Sequence, residues 1–162
     1  MTKGRLTYAI CPQQVKPVSQ KLHAVFLDHA SLDLGDLDLS PLQACFGSLQ
    51  LHAQSHADQV STRLQGASVA ISNKAPLNAA TLAANPQLKL VLVAATGTNN
   101  VDLAAAQAHG VTVCNCRAYG TPSVAQHTLL LMLALATRLT DYQQAVRDGA
   151  WQQASQFCLL DF

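Results

Sequence analysis

The sequence predicts an α/β fold built on a parallel β-sheet, and three observations carry that reading. From residue 22 onward, short apolar runs of strand length alternate with stretches patterned as helices. The connections between them are short and hold the Gly, Pro, Asn and Asp that punctuate such units. The run 88–95 is apolar almost throughout, as befits a central strand covered on both faces.

Taken in order, residues 1–21 carry no periodic pattern and read as an extension or leader. His23-Ala24-Val25-Phe26-Leu27, closed by Asp28, is the first strand. Ser40-Pro41 reads as an N-cap followed by proline at the first helical position, with Gly47 as the stop. Residues 49–53 alternate and form a second strand, and 57–64 form a helix ended by Gly66. The third strand is 67–72, and a helix over 77–84 closes at Asn85-Pro86. After the fourth strand, 88–95, come a helix over 101–109, its stop at Gly110, and a fifth strand over 111–114. Five strands joined by crossover helices mean a sheet with helices on both faces. They favour the flavodoxin-like order 2-1-3-4-5.

A long helix is predicted from near Pro122, where Ser123 and Gln126 have the spacing of a capping box. It runs through Arg147 and ends at Gly149. Its segment 129–136 is apolar on every side, so it must be buried all round. A five-stranded domain covers one face; the other asks for a further domain or subunit.

Composition narrows the function classes. Of 162 residues, 49% are apolar and 12% charged, which fits a compact globular chain. The net charge of +1 gives no reason to expect nucleic acid or a membrane surface as partner. No apolar run approaches the roughly 20 residues of a membrane span, and the start lacks a signal-peptide pattern. A cytoplasmic protein with reduced thiols is expected, its five cysteines fitting no disulfide framework. The six histidines show no metal-ligand spacing, and no metal site is expected.

In an open parallel sheet, ligands bind beyond the carboxyl ends of the strands. The loop after the fourth strand, Thr96-Gly97-Thr98-Asn99-Asn100, is the most informative. Gly97 admits a ligand close to the main chain, and the next helix, starting near Val101, points its N-terminus at the same space. Lys74, on the loop after the third strand, adds a positive charge. Thr96, Gly97, Thr98 and Lys74 together make a cradle for a small carboxylate; a turn with an N-cap and a solvated lysine is the plainer alternative. His127, Tyr119 and Trp151 read as packing, and Asp28 with His29 as a detail of the loop after the first strand. No Gly-x-Gly-x-x-Gly follows any strand, and there is no phosphate-binding loop or nucleophile elbow.

The runs LVLVAATGTNNVDLAAAQAHGVTVCN and YGTPSVAQHTLLLMLALATRL closely resemble the D-isomer-specific 2-hydroxy acid dehydrogenases. VFLDHASLDLGDLDLSPL and ISNKAPLN resemble the glycerate dehydrogenase (hydroxypyruvate reductase) branch. The resemblance covers residues 22–162. It implies a substrate-binding domain over 22–121 and a crossing helix and tail over 122–162, leading toward a dinucleotide-binding domain. It implies that Thr96 and Gly97 line the substrate carboxylate site, that Lys74 is the basic residue of the neighbouring loop, and that Val124 approaches the nicotinamide of NAD or NADP. It also implies a homodimer through the long helix from Ser123. Asn99 and Gln126 depart from the acidic residues many relatives carry, which blurs the substrate more than the family. The catalytic His, its acid and the substrate-orienting Arg match no residue here, so the chain alone is expected to be inactive and to bind no cofactor tightly. The alternative is a stand-alone flavodoxin-like binding or regulatory module. A phospho-receiver is disfavoured because Asn73-Lys74 stands where it would need an acid.

Overall fold

In the computed structural model of the chain, the described residues are 22–155; the extension read over 1–21 and the end of the apolar tail lie outside them. The chain divides into two compact units, Met1–Arg117 and Ala118–Phe162.

The first unit holds a five-stranded parallel sheet of β1 (His23–Phe26), β2 (Ser48–Leu51), β3 (Val69–Ser72), β4 (Leu90–Val93) and β5 (Thr112–Asn115). Its order is β2-β1-β3-β4-β5, the arrangement expected from the sequence. Between the strands lie α1 (Ser40–Gln43), α2 (Ala57–Arg63), α3 (Ala79–Ala84) and α4 (Leu103–Ala108). Because side chains alternate along a strand, Val25, Leu27, Ala70, Val91 and Val93 pack on one face with Val60 and Leu64 of the α2 region, Leu82 of α3 and Ala106 of α4. Ala24, Phe26, Val69 and Ile71 point the other way, toward Leu42 of α1, Phe46 and Leu49.

Cover on the two faces is unequal. β3 is buried at all four positions, whereas β4, the strand expected to be doubly buried, alternates buried and half-buried. Leu90 and Leu92 share their face with α1, which spans only four residues, so part of that face stays open.

The helix starts differ from expectation in one way that matters. α4 begins at Leu103 rather than near Val101. Its N-terminus is closed by Asp102, whose Oδ1 accepts the amide of Ala105 at 2.9 Å. A carboxylate already occupies the end that was expected to welcome an anion, so α4 gives a second anion no support.

The second unit corrects the long helix. It is broken into α5 (Thr121–Ala136) and α6 (Leu139–Arg147), followed by α7 (Ala150–Gln153). α5 begins at Thr121 with Gly120 as its cap and Pro122 in its first turn. Ser123 therefore lies inside the helix, and the expected capping box with Gln126 does not form. Thr137 Oγ1 donates to Leu133 O at 2.8 Å, and Arg138 takes the left-handed conformation with φ +52°. That residue starts a new helix, held by the Arg138–Asp141 ion pair at 2.8 Å. α6 stops at Gly149, φ +71°, as expected. On α5, Leu129, Leu130, Leu131, Met132 and Leu133 are each at least half exposed in the single chain. No helix among the described residues is long and apolar enough to cross a membrane.

Candidate functional site

The carboxyl ends of β1, β2 and β3 surround a cleft of about 490 Å³ lined by Asp28, Ser31, Gln54, Ser55, Lys74 and Pro76, among others. Its geometry follows from where the strands stop. β1 runs into Leu27 and Asp28, and Asp28 is 4% exposed. A carboxylate so placed must have its charge answered by hydrogen bonds. Oδ1 accepts the amide of Asn73 at 2.9 Å, and Oδ2 accepts those of Lys74 and Ala75, the latter at 2.8 Å. The loop after β3 is thereby fastened to the end of β1.

Side chains complete the fastening. Asn73 Nδ2 donates to Ser31 Oγ at 2.8 Å, and Ser31 Oγ donates to Asp28 O at 2.7 Å. The Ala75 carbonyl accepts from Ser72 Oγ at 2.9 Å and from Asn100 Nδ2 at 3.2 Å. Asn100 belongs to the loop after β4, so this carbonyl joins the two loops. A bridge between Leu77 and Val101 runs beside it. On the β2 side, Arg63 donates to Gln54 O and Ser55 Oγ. His52, at the end of β2, has its pKa held below the ordinary 6.5, first by burial and then by Arg63 and His29.

Lys74 lines the cleft with an exposed side chain. Thr96, Gly97 and Thr98 do not line it; they stand on the adjacent loop past β4, linked to it through Asn100. Among the described residues their three amides donate no hydrogen bond, while Thr96 O accepts from Asn115 Nδ2 at 2.6 Å. The loop therefore offers unengaged donors. Gly97 is outside the left-handed region, and a Cβ there would meet only Asn99 Oδ1, at 3.2 Å. Val124 lies on α5 and is 65% exposed. No group of three His, Cys or acidic side chains among the described residues is placed to hold a metal.

Residues 24–158 match the D-isomer specific 2-hydroxyacid dehydrogenase, catalytic domain, family. The chain belongs to this family. It is 47% identical over 105 residues to a glycerate dehydrogenase of Methylorubrum extorquens, covering 65% of this chain and 33% of that protein. It is 32% identical over 140 residues to a hydroxypyruvate reductase of Blautia hydrogenotrophica, covering 85% and 44%. The chain thus spans less than half the length of these relatives. Among solved structures, a D-lactate dehydrogenase of Aquifex aeolicus, complexed with NAD and lactic acid, aligns with a TM-score of 0.68 at 24% identity, covering 86% of this chain and 40% of that one. A 2-hydroxyacid dehydrogenase of Ketogulonicigenium vulgare aligns with a TM-score of 0.69 at 23% identity, covering 88% and 44%. Both share the fold.

In this 2-hydroxyacid dehydrogenase domain, Lys74, singled out in the sequence, lines the cleft, and so does Asp28, which reads in the sequence as a loop detail. Ser31, Ser72, Asn73 and Asn100 are not read from the sequence as a connected set. The available signal was an acidic residue closing a buried strand, beside another strand that ends in Ser-Asn-Lys.

Proposed function

We propose that this chain is the substrate-binding part of an NAD- or NADP-dependent oxidoreductase that interconverts a small D-2-hydroxy acid and its 2-oxo acid, of the glycerate and hydroxypyruvate type. The observation that carries it is the row of unengaged amides at Thr96, Gly97 and Thr98, past β4 in a chain of this family. The substrate carboxylate takes those amides as donors, with the Lys74 ammonium supplying charge from the next loop. The glycerate-type assignment draws on the 47% identity to the glycerate dehydrogenase.

The residues present do not fit a dinucleotide. No glycine-rich turn follows a strand, and α3 and α4 have their N-termini closed by Asn78 and Asp102. Val124 is one apolar contact, placed by resemblance toward the nicotinamide; it is no phosphate cradle. The chain alone therefore holds the acid without turning it over, and it works in the cytoplasm. The apolar surface of α5 pairs with a second copy, giving a homodimer through the helix that contains Ser123; sedimentation at micromolar concentration reads it as a dimer, and a strictly monomeric chain removes this part.

Titrating oxamate into ¹⁵N-labelled protein tests the site. Shifts should gather at residues 74 and 96–98. Lys74→Met should weaken binding about tenfold at low salt, and less as salt rises. Shifts confined to another edge of the sheet, or turnover of hydroxypyruvate with NADH by the purified chain, would overturn the reading.

A further inference from the structure

We propose that Asp28 is the positioning residue of the acid-binding loops: its carboxylate fixes the main chain of Asn73, Lys74 and Ala75 in the arrangement that holds the Lys74 ammonium over the cleft. The proposal rests on the reading of Lys74 as an acid-binding group, and it adds a role for a residue that does not itself touch the acid.

Three consecutive amides converge on one buried carboxylate across 45 to 47 positions of sequence. A carboxylate this close to a lysine would ordinarily pair with it and quench its charge. Here, among the described residues, Lys74 makes no ion pair. The charge of Asp28 is answered by main-chain dipoles, and the ammonium is left for a ligand. The same loop is anchored again through Asn73 on Ser31 and through the Ala75 carbonyl on Ser72 and Asn100. Lys74 is thus an exposed side chain on a fixed base. That lowers the ordering cost of binding.

Charge and position make opposite forecasts for Asp28→Asn. By charge alone, removing a negative group near an anion site tightens acid binding. By position, the asparagine keeps one acceptor oxygen and turns an NH₂ group toward a donor, so at least one loop amide loses its bond and the base of Lys74 shifts.

The test is oxamate titration of the ¹⁵N-labelled chain for the wild type, Asp28→Asn, Ser31→Ala and Val60→Ala, with amide exchange recorded for residues 73–75. Asp28→Asn should bind oxamate about fivefold more weakly, the factor for having to order one long side chain on binding, and should lose exchange protection at 73–75. Ser31→Ala, which frees the Asn73 side chain from its anchor, should weaken binding by a smaller factor, and it carries the test if Asp28→Asn fails to fold. Val60→Ala, a core variant that lowers stability away from the loops, should leave the dissociation constant unchanged. Equal or tighter binding by Asp28→Asn, or equal weakening by Val60→Ala, would overturn the proposal. If the wild type binds no oxamate, the acid-site reading fails by itself. The exchange data still judge the clamp, which is overturned if 73–75 stay protected in Asp28→Asn.

Discussion

Replacing Ser72 and Asn100 by alanine, singly and together, probes how the two loops of the site are joined. The Ala75 carbonyl has two donors, Ser72 Oγ at 2.9 Å and Asn100 Nδ2 at 3.2 Å, in a residue only 4% exposed. Ser72→Ala removes the shorter bond from a fully buried position and leaves Asn100 to serve the carbonyl, a loss of about 1–2 kcal/mol. Asn100→Ala removes longer bonds from a half-buried side chain, where water replaces part of them, a loss of about 1 kcal/mol. Two opposing effects decide the double variant. The direct contact between Asn100 and Ser72, 3.3 Å long, disappears in either single variant. Counting it twice makes the sum of the singles too large by about 0.5 kcal/mol. Only the double variant, however, leaves the buried Ala75 carbonyl with no donor, which costs about 1–3 kcal/mol. The second effect wins, so the double variant should lose about 1 kcal/mol more than the sum of the singles. Urea unfolding of all four proteins, with a common slope, measures the cycle. Strict additivity, or a double variant milder than the sum, would refute the Ala75 carbonyl as the shared acceptor.

Two further outcomes follow from the same geometry. His52 has a folded-state pKa below the ordinary 6.5, so as pH falls the unfolded chain takes the proton first; its contribution to stability is full above that value and is lost below it. His52→Gln should flatten the unfolding midpoint between about pH 7.5 and 5.5, and a curve parallel to the wild type would exclude this source. Gly110 has φ +67° with open space where a Cβ would go, so Gly110→Ala should cost about 1 kcal/mol of backbone strain alone. Gly97→Ala, outside the left-handed region, should lower the melting temperature less; equal losses would contradict the conformational argument.

What the sequence reveals here is what local pattern encodes. Strand order follows from apolar runs alternating with helical text, because only a covered parallel sheet satisfies both. Gly66, Gly110 and Gly149 mark real stops, since each takes a positive φ. The break at Arg138 is invisible to pattern: nothing in the residues around it departs from helix, and a left-handed arginine carries no signature. The unequal cover of the sheet is equally hidden, because a run such as Leu90–Val93 reads the same whether one face or both are packed. At the site, Lys74 and the loop past β4 stand out by residue type. Asp28 does not, because its partners lie at least 45 positions away and its role exists only once β3 is beside β1.

That separation in sequence has a kinetic consequence. The carboxylate and its three amide donors sit on opposite sides of a complete crossover containing β2 and α2. Closing so long a loop forfeits chain entropy before any of these bonds can form, and parallel pairing of this kind is slow for that reason. The bonds between Asp28 and the 73–75 loop can therefore form only once β3 lies beside β1. Bonds absent from the folding transition state govern how fast a protein comes apart rather than how fast it assembles. If the clamp closes after that point, Asp28→Asn speeds unfolding and leaves the folding rate unchanged, so that the clamp that sets the base of Lys74 acts as a latch on the finished cleft.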